Sequence, residues 1–232
     1  MKALLVAVCA LVLAGCGSTP VTQPHVLARH PTATVGPPTT SPGTTLSPVP
    51  VSAPPSPRWH DPRWRFFTTD RAWHTSPWFA GRHRVMIGYG CNVSPWYSPD
   101  PRCPGREGFH HGIDVAMRCG TRLFAGIDGT VVDPHSAGTP GPAYGPYAFR
   151  IRNVPRGVDV LIGHVRTVYV APGDRVRRGE LIARASDQGA PDGCHLHFEV
   201  RAIGGGLDSA RDPARLLVLS PPTGRGAGAG RR

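Results

Sequence analysis

Apolar and polar side chains alternate most clearly at residues 195–200, which read His-Leu-His-Phe-Glu-Val. Successive side chains of a β-strand point to opposite faces, so this pattern predicts a strand with one apolar and one polar face. The Leu, Phe and Val of the run would face a core. The polar face would carry His195, His197 and Glu199.

Short apolar runs separated by glycine and proline predict further strands. Together with the strand described above, the predicted strands cover residues 85–87, 129–132, 149–152, 158–162 and 196–201. Residues 171–174 are typical of a turn, and residues 213–219 allow one short helical turn. No stretch shows the 3.6-residue period of a long amphipathic helix. The pattern therefore predicts a mostly β domain of antiparallel strands, with a sheet-like or sandwich-like architecture.

A second group of polar residues lies upstream, in His-His-Gly-Ile-Asp at residues 110–114, and His164 follows the strand predicted at 158–162. Two histidines and one carboxylate form a ligand set that catalytic zinc sites use, with one position open for water. The same set binds ferrous iron in oxygenases. A histidine on a strand face is usually a satisfied surface or core residue, but two groups from distant parts of the chain favour a metal site.

His110 and Asp114 can share one metal ion only if the chain bends between them. Four residues of extended strand span about 13 Å at ~3.3 Å per residue, which is too far for ligands of one ion. Gly112 suits such a bend because glycine has the widest backbone freedom. Spacing leaves open whether His195 or His197 would complete the site, because both point to the same face.

Short motifs containing Gly, His and Asp follow one another in the second half of the chain. They include Gly-Ile-Asp-Val-Ala at 112–116, Pro-Gly-Asp-Arg-Val at 172–176 and His-Leu-His-Phe-Glu at 195–199. Further motifs lie at residues 119–121, 125–131, 163–164 and 179–183. In this order the motifs resemble the LytM/lysostaphin-type zinc metallopeptidases, over roughly residues 84–217. The resemblance implies the mostly β fold of that family, the duplicated hybrid motif.

The resemblance also implies a role for each histidine. It implies that one Zn²⁺ ion is bound by His110, Asp114 and His197. It implies that His164 and His195 handle protons and the charge that develops in the transition state. We interpret the neighbouring His111 as a solvated residue without a role in the site.

The activity implied by this resemblance is a zinc-dependent endopeptidase that acts on peptide stems or cross-bridges of bacterial peptidoglycan. Zinc in such a site polarises a peptide carbonyl and activates water. The alternatives are a non-catalytic, LytM-like regulator of cell-wall amidases and a wall-binding module that depends on aromatic residues. We expect a monomer with a peptidoglycan peptide as its substrate.

The first residues have the features of an export signal. Lys2 is followed by an apolar run at residues 3–14, which overlaps Leu-Ala-Gly-Cys at residues 13–16. The run is shorter than the about 20 residues that a membrane-spanning helix needs. Leu-Ala-Gly-Cys resembles the bacterial lipobox, so we expect Cys16 to carry a lipid anchor such as palmitate at the outer face of the cytoplasmic membrane. An ordinary signal peptide is the alternative.

Composition divides the chain into segments. Residues 1–15 are the expected signal peptide, and the Pro, Thr and Ser of residues 16–57 predict a disordered linker. A tryptophan-rich arm at 58–83, a metallopeptidase domain at 84–220 and a disordered basic tail at 221–232 follow.

All the tryptophans lie in or near the arm: Trp59, Trp64, Trp73, Trp78 and Trp96. Aromatic rings bury large areas, so the arm could form a platform for sugar or peptide, or it could cover the metal site. We favour a third interpretation, in which the arm packs against the sheet.

Four cysteines remain after the signal peptide and Cys16, an even number that is typical of an oxidising compartment. We predict the disulfides Cys91–Cys103 and Cys119–Cys194, the second of which would brace the residue that precedes His195. Metal binding by cysteine is the alternative, but no Cys-x-x-Cys pair occurs.

The net charge of +11 and the pI near 10.3 indicate an anionic partner, such as a wall polymer or a membrane surface. We expect no nucleic-acid partner, because the chain contains no nucleic-acid-binding motif.

Overall fold

The computed structural model of this chain describes residues 60–221. The predicted signal peptide, the lipid-bearing Cys16, the linker at 16–57, Trp59 and nearly all of the basic tail lie outside the described residues. Within residues 60–221 no helix is long and apolar enough to cross a membrane.

The described part of the chain is almost entirely β-strand and turn. Its strands are β1 (His74–Ser76), β2 (Phe79–Ile87), β3 (Gly90–Asn92), β4 (Gly108–His110), β5 (Gly112–Ala116), β6 (Arg122–Phe124), β7 (Gly129–Val131), β8 (Phe149–Asn153), β9 (Val158–Gly163), β10 (Val165–Arg166), β11 (Arg175–Val176), β12 (Leu181–Ala185) and β13 (His195–Ala202). The described residues also contain one short α-helix, α1 (Ala214–Leu217), which lies where a helical turn was predicted, and three 3-10 helices at Pro142–Tyr144, Val154–Arg156 and Leu207–Ser209. The predicted mostly β fold class is confirmed.

Eleven of these strands form one antiparallel sheet, with the order β10-β12-β6-β2-β5-β13-β9-β8-β7-β11 and β1 paired to the first half of β2. Strands β3 and β4 form a separate hairpin. The strand predicted at 196–201 is β13, which lies near the middle of the sheet between β5 and β9. Its backbone is therefore paired along both edges, and its side chains from His195 to Arg201 are buried on both faces.

The main core lies on one face of the sheet and contains the apolar residues of β13. Leu196, Phe198 and Val200 are all buried there, as the alternation predicts. The Trp78 ring packs edge-on against Phe198, with centroids 4.7 Å apart, and its indole N–H donates to the carbonyl of Leu216. The opposite face is left for the polar side chains of β13.

A smaller apolar cluster lies apart from the main core. Its buried members are Met86, Ile87 and Ala116. Residues packed against it include the arm residues Trp64, Phe66 and Phe67. Trp73 and Trp96 are 54% and 44% exposed. The aromatic residues in and near the arm therefore divide between a packed group and an exposed group.

The structure differs from the predicted segment boundaries in one respect. Strand β2 begins at Phe79, and β1 pairs with it from His74, so the sheet starts inside the predicted arm of residues 58–83. The alternation of β2 is weak before Val85, because Gly81 and the polar residues that follow it interrupt the apolar pattern.

Both predicted disulfides are present in the structure. Cys91–Cys103 links residues 12 apart, and Cys119–Cys194 links residues 75 apart. The alternative of metal binding by these cysteines therefore does not hold, because all four sulfur atoms are paired.

Candidate metal centre

The three residues predicted to bind zinc converge at one point on the polar face of the sheet. His197 Nδ1 lies 2.9 Å from Asp114 Oδ1 and 3.2 Å from His110 Nε2, and His110 Nε2 lies 3.4 Å from Asp114 Oδ1. All three side chains are buried. Tetrahedral ligands at 2.0–2.2 Å from zinc are separated by roughly 3.3–3.5 Å, so this donor set fits one ion with little movement.

Strand pairing and one break in the chain produce this convergence. The register between β5 and β13 places Asp114 directly opposite His197. The chain changes sheet between β4 and β5, so His110, the last residue of β4, lies beside the other two side chains. The predicted bend is therefore present, but it lies at His111, one residue before Gly112.

Gly112 serves a different purpose from the predicted one. A Cβ atom at this position would lie 2.7 Å from His197 Cε1 and 2.7 Å from the carbonyl oxygen of Phe198. Any larger residue would therefore push against the ring of a candidate ligand. The close approach of two strands, not backbone freedom, accounts for glycine here.

In both candidate ligand histidines, His110 and His197, the ring nitrogen that points away from the cluster has an oxygen acceptor as its partner. His110 Nδ1 lies 2.9 Å from the carbonyl oxygen of Gly88, and His197 Nε2 lies 3.1 Å from Glu199 Oε2. Since these oxygens only accept, each outer nitrogen donates, and whenever the rings are neutral their inner nitrogens carry lone pairs. Two lone pairs and a carboxylate then face one another, an arrangement that a cation stabilises.

A buried ionic network holds the outer side of His197. Glu199 is fully buried, accepts from the guanidinium of Arg201, and also accepts from the hydroxyl of Tyr144 at 2.9 Å. Arg201 Nη2 in turn donates to the Tyr144 hydroxyl. Sequence reasoning noted Glu199 on the polar face but missed Arg201, although Arg201 continues the same alternation by one further step. Tyr144 lies on a distant turn and had no local signal.

The charges of this network shift the pKa of its members. Burial raises the pKa of Glu199, but its hydrogen bonds with His197 and Arg201 outweigh this and lower the pKa to about 2. Burial lowers the pKa of His197, but the bonds to Asp114 and Glu199 raise it to about 9. A proton and a metal ion therefore compete for the inner nitrogen of His197.

The two remaining predicted histidines lie beside the cluster. The rings of His164 and His195 are 4.4 Å apart, and those of His164 and His197 are 6.0 Å apart. His164 and His195 each donate from Nδ1 to a backbone carbonyl, of Gln188 and Gly193 respectively, both at 2.9 Å. Their Nε2 atoms are therefore the nitrogens left for chemistry.

His164 has an unusual backbone and an altered acidity. It adopts a left-handed conformation with φ of 53°, which is uncommon for a residue other than glycine and often occurs at functional sites. Burial and the nearby His195 and His197 lower the pKa of His164 to about 3. Its ring is therefore neutral near pH 7, with an unprotonated Nε2.

Other residues near the cluster were not found from the sequence. Tyr97 packs against the His110 ring with centroids 5.0 Å apart, and its hydroxyl lies 3.5 Å from Asp114 Oδ2. Asp192 is buried, which raises its pKa, and its carboxylate lies 3.5 Å from His195 Nδ1. Both lie in loops without periodic pattern. His111 is only partly buried and contacts Arg102, outside the cluster.

Comparison with known proteins finds sequence similarity over this part of the chain. Residues 108–209, which contain all five predicted site residues, match the model of peptidase family M23. An uncharacterized metalloprotease of Haemophilus influenzae is 29% identical over 149 residues, which are 63% of this chain and 29% of that protein. A DD-carboxypeptidase/endopeptidase, Mpg, of Neisseria meningitidis is 37% identical over 95 residues, which are 41% of this chain and 20% of that protein.

Similar solved structures include two peptidases. The catalytic domain of lysostaphin from Staphylococcus simulans has a TM-score of 0.47 and 24% identity, covering 59% of this chain and 92% of that one. A zinc-containing peptidase from Vibrio cholerae has a TM-score of 0.44 and 25% identity, covering 62% of this chain and 39% of that one. The chain spans less than a third of the length of the curated relatives it matches. Over residues 108–209, this chain is therefore similar to peptidase family M23.

Proposed function

We propose that this protein is a zinc-dependent endopeptidase that hydrolyses peptide bonds in the stems or cross-bridges of bacterial peptidoglycan. The observation that carries the proposal is the convergence of His110, Asp114 and His197 beside two further histidines whose Nδ1 atoms donate to backbone carbonyls. The names of the relatives, a DD-carboxypeptidase/endopeptidase and lysostaphin, support a substrate in the bacterial cell wall. The net charge of +11 suits an anionic wall polymer.

The ligand set proposed for the metal is His110 Nε2, Asp114 Oδ1 and His197 Nδ1. When bound there, Zn²⁺ supplies Lewis acidity that polarises a peptide carbonyl and makes water more acidic. Nitrogen and carboxylate ligands of this kind suit zinc, and the disulfides leave no thiolate in the site. The carbonyl of Gly88 and the carboxylate of Glu199 keep the two ligand rings in the required tautomers.

His164 and His195 divide the handling of protons in this proposal. The neutral His164 ring accepts a proton at Nε2, because its Nδ1 proton is held by the carbonyl of Gln188. His195 presents its own Nε2 toward Asp114 Oδ1, 3.6 Å away, and when this nitrogen also carries a proton it is placed to hydrogen-bond the developing oxyanion. The proton that His164 takes from water can then pass to the leaving amine. The presence of all five groups argues against a purely regulatory, non-catalytic role.

The test is digestion of purified peptidoglycan by the full-length chain loaded with zinc, with released fragments identified by mass spectrometry. We expect new peptide termini that disappear with a chelator and with His164→Ala. The matched control is His111→Ala, which removes a histidine beside a candidate ligand but outside the cluster and should retain activity. Intact peptidoglycan after treatment with folded, zinc-loaded protein would contradict the proposal.

We further propose that the protein is anchored by a lipid on Cys16 at the outer face of the cytoplasmic membrane. The lipobox-like Leu-Ala-Gly-Cys at residues 13–16 supports this. Cells fed a palmitate analogue should label the wild-type chain, whereas Cys16→Ser should remove the label and move the protein out of the membrane fraction. Equal labelling of both proteins would contradict the anchor.

A further inference from the structure

One loop orients both of the histidines that are not candidate metal ligands. This segment, residues 187–194, is named the 187–194 loop. The carbonyl of Gln188, near its start, accepts from His164 Nδ1, and the carbonyl of Gly193, near its end, accepts from His195 Nδ1. The position of this loop therefore sets the tautomer and the direction of both rings.

Residues of the arm hold this loop at both ends. At the start, Arg63 Nη2 lies 2.8 Å from Asp187 Oδ2 and 2.9 Å from Asp61 Oδ2. At the end, the backbone N–H of Cys194 donates to Asp61 Oδ2 at 3.2 Å, and Trp64 Nε1 donates to the carbonyl of Cys194 at 2.7 Å.

The fit between arm and loop is tight. Asp61 is only 4% exposed, and a Cβ atom at Gly193 would lie 2.7 Å from Asp61 Oδ2. Gly193 has φ of +96°, so the loop adopts at this point a conformation that other residues rarely take. Trp64 also packs against the cluster that contains Ala116, two residues along β5 from Asp114.

We propose that Asp61 and Trp64 are positioning residues for the reaction: they fix the 187–194 loop so that its carbonyls aim His164 and His195 at the metal centre. Both residues lie outside the family match at 108–209, so this contribution comes from a part of the chain beyond the shared domain. The inference rests on the proposed peptidase function. Misplacement of a catalytic group by about 1 Å reduces rates by up to ~100-fold, so small movements of this loop matter.

The test compares Asp61→Asn and Trp64→Phe with controls that lose similar bonds elsewhere. Asp70→Asn weakens an ion pair with His74 on the same arm, and Trp78→Phe removes an indole donor to the carbonyl of Leu216. The full-length, zinc-loaded proteins are assayed on soluble cross-linked muropeptides. We expect kcat to fall by about 10-fold to 100-fold in Asp61→Asn and Trp64→Phe, while their KM changes little. Both kcat and KM of the two control variants should stay close to those of wild type.

A second readout does not depend on activity. Long-range ¹⁵N–¹H NMR spectra of the histidine rings report which nitrogen carries the proton. In wild-type protein we expect His164 and His195 to be protonated at Nδ1, and in the arm variants we expect mixed tautomers for both. Zinc affinity, measured by chelator competition, should stay within about 3-fold of wild type, because no candidate ligand is moved.

Two outcomes would overturn the proposal: arm variants with the kcat of their controls, or arm variants with unchanged histidine tautomers. If Asp61→Asn does not fold, Trp64→Phe and Arg63→Gln test the two ends of the loop separately. Wild-type protein that binds zinc but cleaves nothing would instead contradict the proposed function. In that case the NMR comparison still decides whether the arm positions the rings.

Discussion

At the scale of single residues, the four histidines of the site differ in what holds their second nitrogen. His110, His164 and His195 each donate to a backbone carbonyl, whereas His197 donates to the carboxylate of Glu199. A carboxylate partner makes an imidazole a stronger ligand than a carbonyl does. We therefore expect His197 to contribute most to metal affinity.

Replacement of Glu199 by Gln should weaken zinc binding by about 10-fold to 100-fold, because the amide keeps the shape of the side chain but removes its charge. The measurement is the zinc dissociation constant by competition with a chromogenic chelator. The matched control is Glu180→Gln, an exposed carboxylate that accepts from the backbone of Arg177 away from the site. Equal affinities for both variants would contradict a role of Glu199 in holding His197.

At the scale of elements, the site depends on the close approach of β5 to β13. Gly112→Ala should force the new methyl group against the His197 ring, and overpacking of this kind costs about 1–3 kcal/mol. We expect a lower melting temperature and a weaker zinc affinity. Gly206→Ala is the control, because a Cβ there meets nothing within 4 Å. If Gly112→Ala behaves as this control does, the contact with His197 is not needed.

The ion pair of Asp61 in the arm should make the stability of the fold depend on pH. Hydrogen bonds from Arg63 outweigh burial and lower the pKa of Asp61 from 3.8 to about 2. A lowered pKa in the folded state means that the carboxylate stabilises the fold above pH 3.8 and loses this effect as the pH falls toward 2. The melting temperature of Asp61→Asn should lie below that of wild type near pH 6, and the difference should shrink between pH 4 and pH 2. A constant difference over this range would contradict the assigned ion pair.

The elements that were predicted from the sequence are those with a strong local pattern. The apolar and polar alternation of residues 195–200 predicted both faces of β13, and the apolar run at 158–162 predicted β9. The strand at Gly112–Ala116 was missed because it is buried on both faces and has no alternation to detect. The start of the sheet at β1 was missed because His74–Ser76 carries no apolar residue.

The candidate site shows the same division between local and distant information. The resemblance indicated His110, Asp114, His164, His195 and His197, and the structure brings their side chains together. The bonds from Asp61 and Trp64 to Cys194 join residues more than a hundred positions apart, so no local pattern could have predicted them. His164 and His195 are oriented by backbone carbonyls of the loop, which every residue type has, so the sequence could not indicate them.

At the scale of the whole molecule, the two disulfides should differ in their effect on stability. The loop closed by Cys119–Cys194 spans 75 residues and that closed by Cys91–Cys103 spans 12. Chain-entropy arguments give about 4 kcal/mol for the longer loop and about 3 kcal/mol for the shorter one. Replacement of each pair by serine, followed by urea unfolding, should therefore show the larger loss for Cys119→Ser with Cys194→Ser. The reverse order would contradict this assignment.

The most direct test of the central claim is a titration of metal-free, full-length protein with Zn²⁺, in which bound zinc and muropeptide cleavage are measured in the same samples. We predict that cleavage rises in proportion to bound zinc and reaches its limit at about one ion per chain, as a single ligand set of two histidines and one carboxylate requires. His197→Ala should lose both tight binding and cleavage. Cleavage that persists after removal of zinc, or that is unaffected by His197→Ala, would contradict the account.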